Sequence, residues 1–317
     1  MSANGSTESN EEALPPQASA PLYKYVHIDG LLRILGGSIR FTQPGAFNDP
    51  FELLPELIAP AVEHPQNLTI SFDTMAKRRD PPVGEVPSSE ELDSSDVISR
   101  DIVKELNKTI GIFCLSKIND SLLMWSHYAE QYAGAVIEFD GSNDFFAGQI
   151  EVEYRPLRPR KNISAYLIAN QPVPVAELCV KSDQWAYERE VRIVRPLSDC
   201  KATTASDPRG FPIFVQSIPI DCIRSVTLGE RTKISDQRAV FELVKETHIG
   251  LALAAVDHQG YGFRREVVKF PGPLSVSGPM ISPRTAHIFS HLNNGFGQIA
   301  RTLIEKHPMS KIVNNTV

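Results

Sequence analysis

The stretch Trp185-Ala-Tyr-Glu188-Arg-Glu190-Val-Arg192-Ile-Val sets two carboxylates and a guanidinium at alternate positions, just before and along an apolar strand pattern. Successive strand side chains point to opposite faces. Glu188, Glu190 and Arg192 are therefore expected on one face and Val191 and Ile193 on the other. Charges gathered on one face of an interior strand are costly unless they pair or take part in chemistry. Two like carboxylates perturb each other's ionisation, and Arg192 would keep one of them charged. Such a set can stabilise a developing cation or activate a hydroxyl nucleophile. The plainer alternative is an exposed strand with an intramolecular Glu–Arg pair, worth little when solvated.

Three further clusters carry polar chemistry. Tyr23-Lys24-Tyr25 and His27 lie at a first strand and the entry to a helix. Lys24 or His27 could meet an anionic or amide ligand beside the positive end of that helix, with Tyr25 as a stacking wall. An amphipathic edge strand with a polar helix start explains the same residues. Phe47-Asn48-Asp49-Pro50-Phe51-Glu52 is built from turn formers, and Phe47 and Phe51 are expected to anchor it to the core. A loop pinned in this way offers Asn48, Asp49 and Glu52 as a ligand rim. In Met124-Trp125-Ser126-His127-Tyr128 helical spacing puts Trp125, Tyr128 and Tyr132 on one aromatic stripe, with His127 on a flank. No second histidine follows at i+4, so the metal-binding H-E-x-x-H geometry is absent and no metal is expected.

These residues have to be positioned by a set of short elements. Strands are predicted at 23–26, 38–42, 109–115, 135–139, 152–154, 212–215, 223–228, 251–256 and 262–268. Helices are predicted at 27–35 with Asp29 as N-cap, 99–108, 121–133, 177–185 and 235–246. Short strands interrupted by helices, without regular βαβ alternation, imply an α+β domain. Its core is a mixed, mostly antiparallel central sheet with flanking helices. Residues 1–20 read as a disordered tail and 21–270 as one domain, with a surface insertion at about 60–98. Residues 271–317 read as a C-terminal extension with one or two short helices. No G-x-G-x-x-G or P-loop pattern occurs.

Composition narrows the classes. A net charge of -6 gives no bulk attraction to nucleic acid or to an anionic membrane, although a local basic groove stays open. No apolar run reaches the roughly 20 residues that span a bilayer, and the polar start lacks the pattern of a secretory signal. The 4 cysteines are widely spaced with no C-x-x-C pair, against a zinc ribbon or a disulfide framework. Reduced thiols and a cytoplasmic location are the expectation.

Two resemblances follow from these motifs. Phe47-Asn-Asp-Pro-Phe-Glu52, Met124-Trp-Ser-His-Tyr-Ala129 with Gly134 and Glu138-Phe139, and Trp185-x-Tyr-Glu-x-Glu-x-Arg192 resemble a large, mostly bacterial family of uncharacterised proteins, a domain of unknown function. The opening Leu22-Tyr-Lys-Tyr25 and the Val226-x-Leu-Gly229 ending match it too. This likeness implies a family and no activity. The run Tyr23-x-x-x-His27-x-x-x-Leu31-x-x-Ile34-Leu35, followed by Gly37-x-Ile39-x-Phe41, resembles the opening of ADP-ribosyltransferase-fold proteins, including the DNA-modifying toxin group.

That second likeness implies NAD as co-substrate. Glu190 would be the strand-borne glutamate that binds the nicotinamide-ribose hydroxyl, and Glu188 would position or deprotonate the acceptor. Tyr25 or Trp125 would stack on nicotinamide, and Lys24 or His27 would hold phosphates or carboxamide. Tyr128 and Arg192 would complete the cofactor contacts. The family's first-strand histidine aligns with Lys24, so its part has either passed to His27 or His127 or been lost. The implied function is an NAD-dependent transferase in a toxin or phage-defence setting, with an unidentified acceptor macromolecule and no membrane. The alternatives are a non-catalytic module that binds a nucleotide or a partner, and a hydrolase or nuclease using Asp49, Glu52, His127 and Glu190.

Overall fold

The computed structural model describes residues 20–58, 89–162 and 174–311. Residues 1–19 of the expected tail and 60–88 of the expected insertion lie outside them. The first third of the chain forms β1 (Leu22–Val26), α1 (Ile28–Leu35), β2 (Ser38–Phe41), β3 (Glu56–Ile58), α2 (Ser89–Thr109) and β4 (Ile110–Ser116). Then come α3 (Leu122–Tyr128), β5 (Ala135–Phe139), β6 (Ile150–Glu151), β7 (Glu153–Arg155), β8 (Arg160–Asn162), β9 (Val180–Ser182) and β10 (Glu190–Pro196). The remainder holds β11 (Lys201–Ser206), β12 (Pro212–Ser217), β13 (Ile223–Leu228), α4 (Ile234–Val244), β14 (Gly250–Val256) and β15 (Phe263–Lys269). Three helices close it: α5 (Leu274–Ser277), α6 (Ala286–Phe289) and α7 (Gly295–Lys306).

Eight strands form one sheet in the order β15-β14-β13-β5-β1-β4-β10-β6. Every neighbouring pair is antiparallel except β13 and β14, which α4 joins as a parallel crossover. This is the mixed α+β architecture with a large, mostly antiparallel sheet that the sequence predicts. Strands β11, β12 and β2 make a smaller sheet, and β3–β8 and β7–β9 are parallel pairs.

The two faces of the large sheet differ. The first packs the main core: Leu22, Phe113, Leu115, Ile137, Phe139, Val191 and Ile193 meet Leu31 and Ile34 of α1 and Val240 and Phe241 of α4. Ala286, Ile288, Phe289 and Ala300 join the same core, so residues beyond 271 help build it. The second face carries two smaller apolar clusters. Tyr25, Met124, Trp125, Val136 and Ala254 form one, and Leu53, Ile112, Leu178 and Cys179 the other. Between them lie the charges. Among the described residues no helix is long and apolar enough to cross a membrane.

Four local expectations are corrected. His27, not Asp29, caps α1: its Nδ1 accepts from the Gly30 amide at 3.0 Å. The helix expected to Ala133 stops at Tyr128, and Glu130, Gln131 and Tyr132 follow with φ of 49°, 51° and 73°. Close packing of Gly229 against this segment explains the stop, since a Cβ there would stand 2.0 Å from the Tyr132 carbonyl oxygen. The helix expected at 177–185 is instead two 3-10 turns flanking β9, because pairing with β7 overrides local propensity. The helix expected at 99–108 begins at Ser89, so the acidic serine-rich run enters α2. Strands β3, β6, β8 and β11 lie outside the predicted strands, being short or polar.

Candidate functional site: a buried ionic network beside an open cleft

Alternation along β10 sends Val191 and Ile193 into the main core and turns Glu190 and Arg192 to the second face. Both are buried, with Arg192 at 0% exposure. Arg192 grips Glu190 bidentately, Nε donating to Oε1 at 2.8 Å and Nη2 to Oε2 at 3.2 Å. Lys181 on β9 donates to Glu190 Oε2 at 2.9 Å and to Glu188 Oε2 at 2.7 Å. The Tyr128 hydroxyl at the end of α3 donates to Glu188 Oε1 at 2.5 Å, and Asn48 Nδ2 donates to that hydroxyl at 3.4 Å.

Glu188 reaches this set without lying on the strand. Arg189 sits at φ 43°, ψ 52°, and this left-handed residue turns the chain between the two glutamates. Ser116 Oγ donates to the Glu188 carbonyl at 2.6 Å, and the Glu190 amide donates to the Tyr154 hydroxyl at 2.8 Å, fixing both backbones.

The loop Phe47–Glu52 lies beside the network. Asp49 Oδ1 accepts from the Phe51 amide at 2.9 Å, the side-chain turn that Asp before Pro favours. Phe51 is 59% exposed, so it does not anchor the loop as expected; the fully buried Leu53 does, together with Phe47. Arg209 also donates to the Phe47 carbonyl. Glu52 is buried, with Oε1 2.6 Å from Arg192 Nη1. Neither of those atoms makes an aligned hydrogen bond, and Glu52 Oε2 has none either. The charges meet without the directional part of the interaction.

Three carboxylates thus face two cations. Burial alone would raise Glu190, but the charges of Arg192 and Lys181 overcome it and hold Glu190 well below the carboxylate range. Glu52 goes the other way: burial raises it, Arg192 opposes, and Glu190 adds to the rise. Burial would lower Lys181, yet Glu190, Glu52 and Glu188 together raise it. Burial and then Glu188 push the Tyr128 phenol up. The Cys114 thiol, whose residue opposes Arg192 in register, is pushed up by burial and by Glu190.

An open cleft of 470 Å³ lies between this loop and α2. Asn48, Asp49 and Glu52 line it from one side, Arg100, Lys104 and Asn107 from α2, and Arg209 from the loop before β12. Asn107 Oδ1 accepts from the Gly45 amide at 2.7 Å, tying the helix to the loop. Among the described residues no group of three or more His, Cys, Asp or Glu could hold a metal ion.

The structure gathers Glu188, Glu190, Arg192, Tyr128, Asn48 and Glu52, keeps Asp49 on the cleft wall and His127 at the edge, and leaves Lys24, Tyr25, His27 and Trp125 apart. His127 is exposed beside them, with Nδ1 3.1 Å from the Tyr187 hydroxyl. Tyr25 and Trp125 are buried against one another edge to face at 5.7 Å, and the Tyr25 hydroxyl donates to the Ile118 carbonyl. At 2% exposure Trp125 shows little of its ring, and it borders a different opening from the cleft beside the loop. Lys24 turns to the first face, its Nζ 5.1 Å from the Phe113 ring and donating to the Cys114 carbonyl at 2.6 Å. His27 is occupied as the cap of α1.

Lys181 is the residue that sequence reasoning missed. A lysine flanked by Val180 and Ser182 is a strand signal that the expected helix concealed. Arg100 and Lys104 share one face of α2 at i and i+4, but Arg209 comes from a distant segment and no local spacing links it to them.

No curated protein and no solved structure matches the chain. Residues 124–193 do match a family model. The span runs from α3 into β10 and so contains Tyr128, Lys181, Glu188, Glu190 and Arg192 but neither the Phe47–Glu52 loop nor the cleft cations. Over those residues the chain carries the pattern of the family described as Protein of unknown function (DUF2971), in keeping with the uncharacterised family that its motifs resemble.

Proposed function

We propose that this protein binds a phosphate-bearing small molecule of the nucleotide class in the cleft between the Phe47–Glu52 loop and α2. The observation that carries this reading is the convergence of Arg100, Lys104 and Arg209 on a 470 Å³ cleft, three cations against the carboxylates of Asp49 and Glu52, with Arg100 also paired to Asp96 at 2.7 Å. That volume lies within the usual range for small-molecule sites. Cations from three turns of chain around a concave wall raise the local concentration of anions despite the net negative charge of the whole. Asn48 supplies an amide at the same wall, and Tyr128 and Glu188 hold it in place. The buried network is then a rigid backing for the wall, not the reacting group.

The test is equilibrium binding of ATP, ADP and NAD, each against the matching nucleoside without phosphate. Phosphate-bearing ligands should bind and plain nucleosides should bind much more weakly. Lys104→Ala should weaken binding by about 1 kcal/mol, roughly fivefold, and raising the salt should shrink that difference. Nucleosides that bind as well as nucleotides, or no binding of either, would overturn the proposal.

A transferase acting on NAD is a second reading, favoured by the acidic pair Glu188 and Glu190 and by the β1–α1–β2 opening. Against it, both Glu190 oxygens already accept from Arg192 and Lys181, so a ribose hydroxyl would have to displace one of them. Release of nicotinamide from NAD by the wild-type protein would support this reading, and none with any acceptor would remove it.

A further inference from the structure

The second face of the large sheet carries another opening. Register places Ser225, Glu138, Tyr23, Ser116 and Glu190 side by side across β13, β5, β1, β4 and β10. The ionic network occupies the β10 end of this polar rung. At the β13 end a cavity of 100 Å³ is lined by Tyr23, Glu138, Ser225 and Arg265, with Trp125 and Phe263 as aromatic wall and Asp120 beside them. The wall is held in place, because the Trp125 ring packs edge-on against Phe263 at 5.9 Å and against Tyr25 at 5.7 Å.

The charges in this cavity are arranged unlike those of the network. Ser225 Oγ donates to Glu138 Oε2 at 2.8 Å and accepts from Arg265 Nη2 at 3.3 Å. One hydroxyl therefore stands between a carboxylate and a guanidinium that, among the described residues, form no direct ion pair. The neighbouring arginines are engaged elsewhere, Arg264 with Glu266 at 2.9 Å and Arg224 with Asp140 at 2.9 Å. Among the described residues the Tyr23 hydroxyl makes no hydrogen bond. A carboxylate, a guanidinium and a phenol thus converge on an aromatic wall with capacity to spare.

We propose that this cavity binds a small zwitterion of the α-amino acid class. Its ammonium group would meet Glu138 and Asp120, its carboxylate would meet Arg265 and the Tyr23 hydroxyl, and its side chain would rest on Trp125 and Phe263. Charge decides the class. A simple anion would face two carboxylates, a simple cation would face Arg265, and a neutral apolar molecule would desolvate both signs without return. An α-amino acid offers one charge of each sign to the carboxylate and the guanidinium that one bridging hydroxyl keeps apart. Size decides the side chain. A dry cavity of roughly 150 Å³ admits benzene, so 100 Å³ takes an α-amino acid with a short aliphatic side chain only with part of it at the open mouth.

The experiment is ligand-detected NMR and calorimetry on the full chain with L-valine, N-acetyl-L-valine and L-valinamide. L-valine should bind, and each blocked form, lacking one charge, should bind at least about tenfold more weakly. Glu138→Gln and Arg265→Gln should each weaken L-valine by a similar factor without a change in circular dichroism or thermal midpoint, because both side chains face the open cavity. No binding of L-valine at millimolar concentration would overturn the proposal. So would a blocked form that binds as well as L-valine, or L-valine binding that both substitutions leave unchanged.

Discussion

The two ends of one polar rung solve the same problem in opposite ways. At the β10 end, Glu188, Glu190, Lys181 and Arg192 are buried and closed into contact pairs. At the β13 end, Glu138 and Arg265 stay partly exposed with a serine between them. The difference lies in what covers each end. The Phe47–Glu52 loop, β9 and α3 lie over the first and shut out water, so every charge there must find a partner. The second is bounded by an aromatic wall on one side only, and water can solvate what the protein leaves unpaired. A buried pair fixes geometry and has little capacity left for a ligand. A separated pair contributes less to the fold and keeps its capacity.

The widest gap between the two ends should appear when the same change is made in each. Arg192→Met removes the cation that Glu190 and Glu52 share and leaves both carboxylates in a dry site. The loss should be about 3–5 kcal/mol, read as a lower denaturant midpoint. Arg265→Met removes an exposed guanidinium with one long hydrogen bond and should cost less than about 1 kcal/mol. Equal losses would mean that the β13 end is as closed as the β10 end, and the contrast would fail.

A smaller effect sharpens the boundary of the closed end. Tyr128→Phe keeps the ring and deletes the hydroxyl that joins Asn48 to Glu188. It strands Glu188 Oε1 in a buried site, at a cost of about 1–3 kcal/mol. Because the same hydroxyl ties the loop to the network, nucleotide binding in the adjoining cleft should weaken as well. A variant of wild-type stability would show that water replaces the hydroxyl and that the network is open on the α3 side.

How much of this was legible without coordinates follows the same divide. Strand alternation places Glu190 and Arg192 together and opposite Val191 and Ile193, and the structure agrees, because period-two geometry is local. The same rule assigns Lys24 to the face of Leu22 and Val26, away from Tyr25, and so away from Glu190. Glu188 was grouped correctly for an incomplete reason: it lies before the strand, and the left-handed Arg189 brings it round. Lys181 was invisible because its segment reads as a helix, and only pairing of β9 with β7 makes it a strand. The approach of Glu52 to Arg192, and of α2 to the Phe47–Glu52 loop, depends on contacts between segments far apart in the chain. No local pattern encodes such contacts.

The smallest effect tests the odd carboxylate. With three carboxylates and two cations in the network, Glu52 is the one without an aligned hydrogen bond and the one whose protonation burial favours. A carboxyl raised in the folded state contributes stability that is complete below its unfolded value, near 4.3. That contribution is lost as the pH climbs through the raised folded value. Glu190, held down by Arg192 and Lys181, does the reverse: its contribution is present above about 4.3 and disappears as the pH falls through its lowered folded value. Glu52→Gln should therefore leave stability at pH 7.5 unchanged or raise it by less than about 1 kcal/mol, with no gain at pH 4.5. Denaturant midpoints of the variant and the wild type at the two pH values provide the measurement. A loss at pH 7.5 would mean that Arg192 needs the charge of Glu52 even without an aligned bond, and that the closed end has no carboxylate to spare.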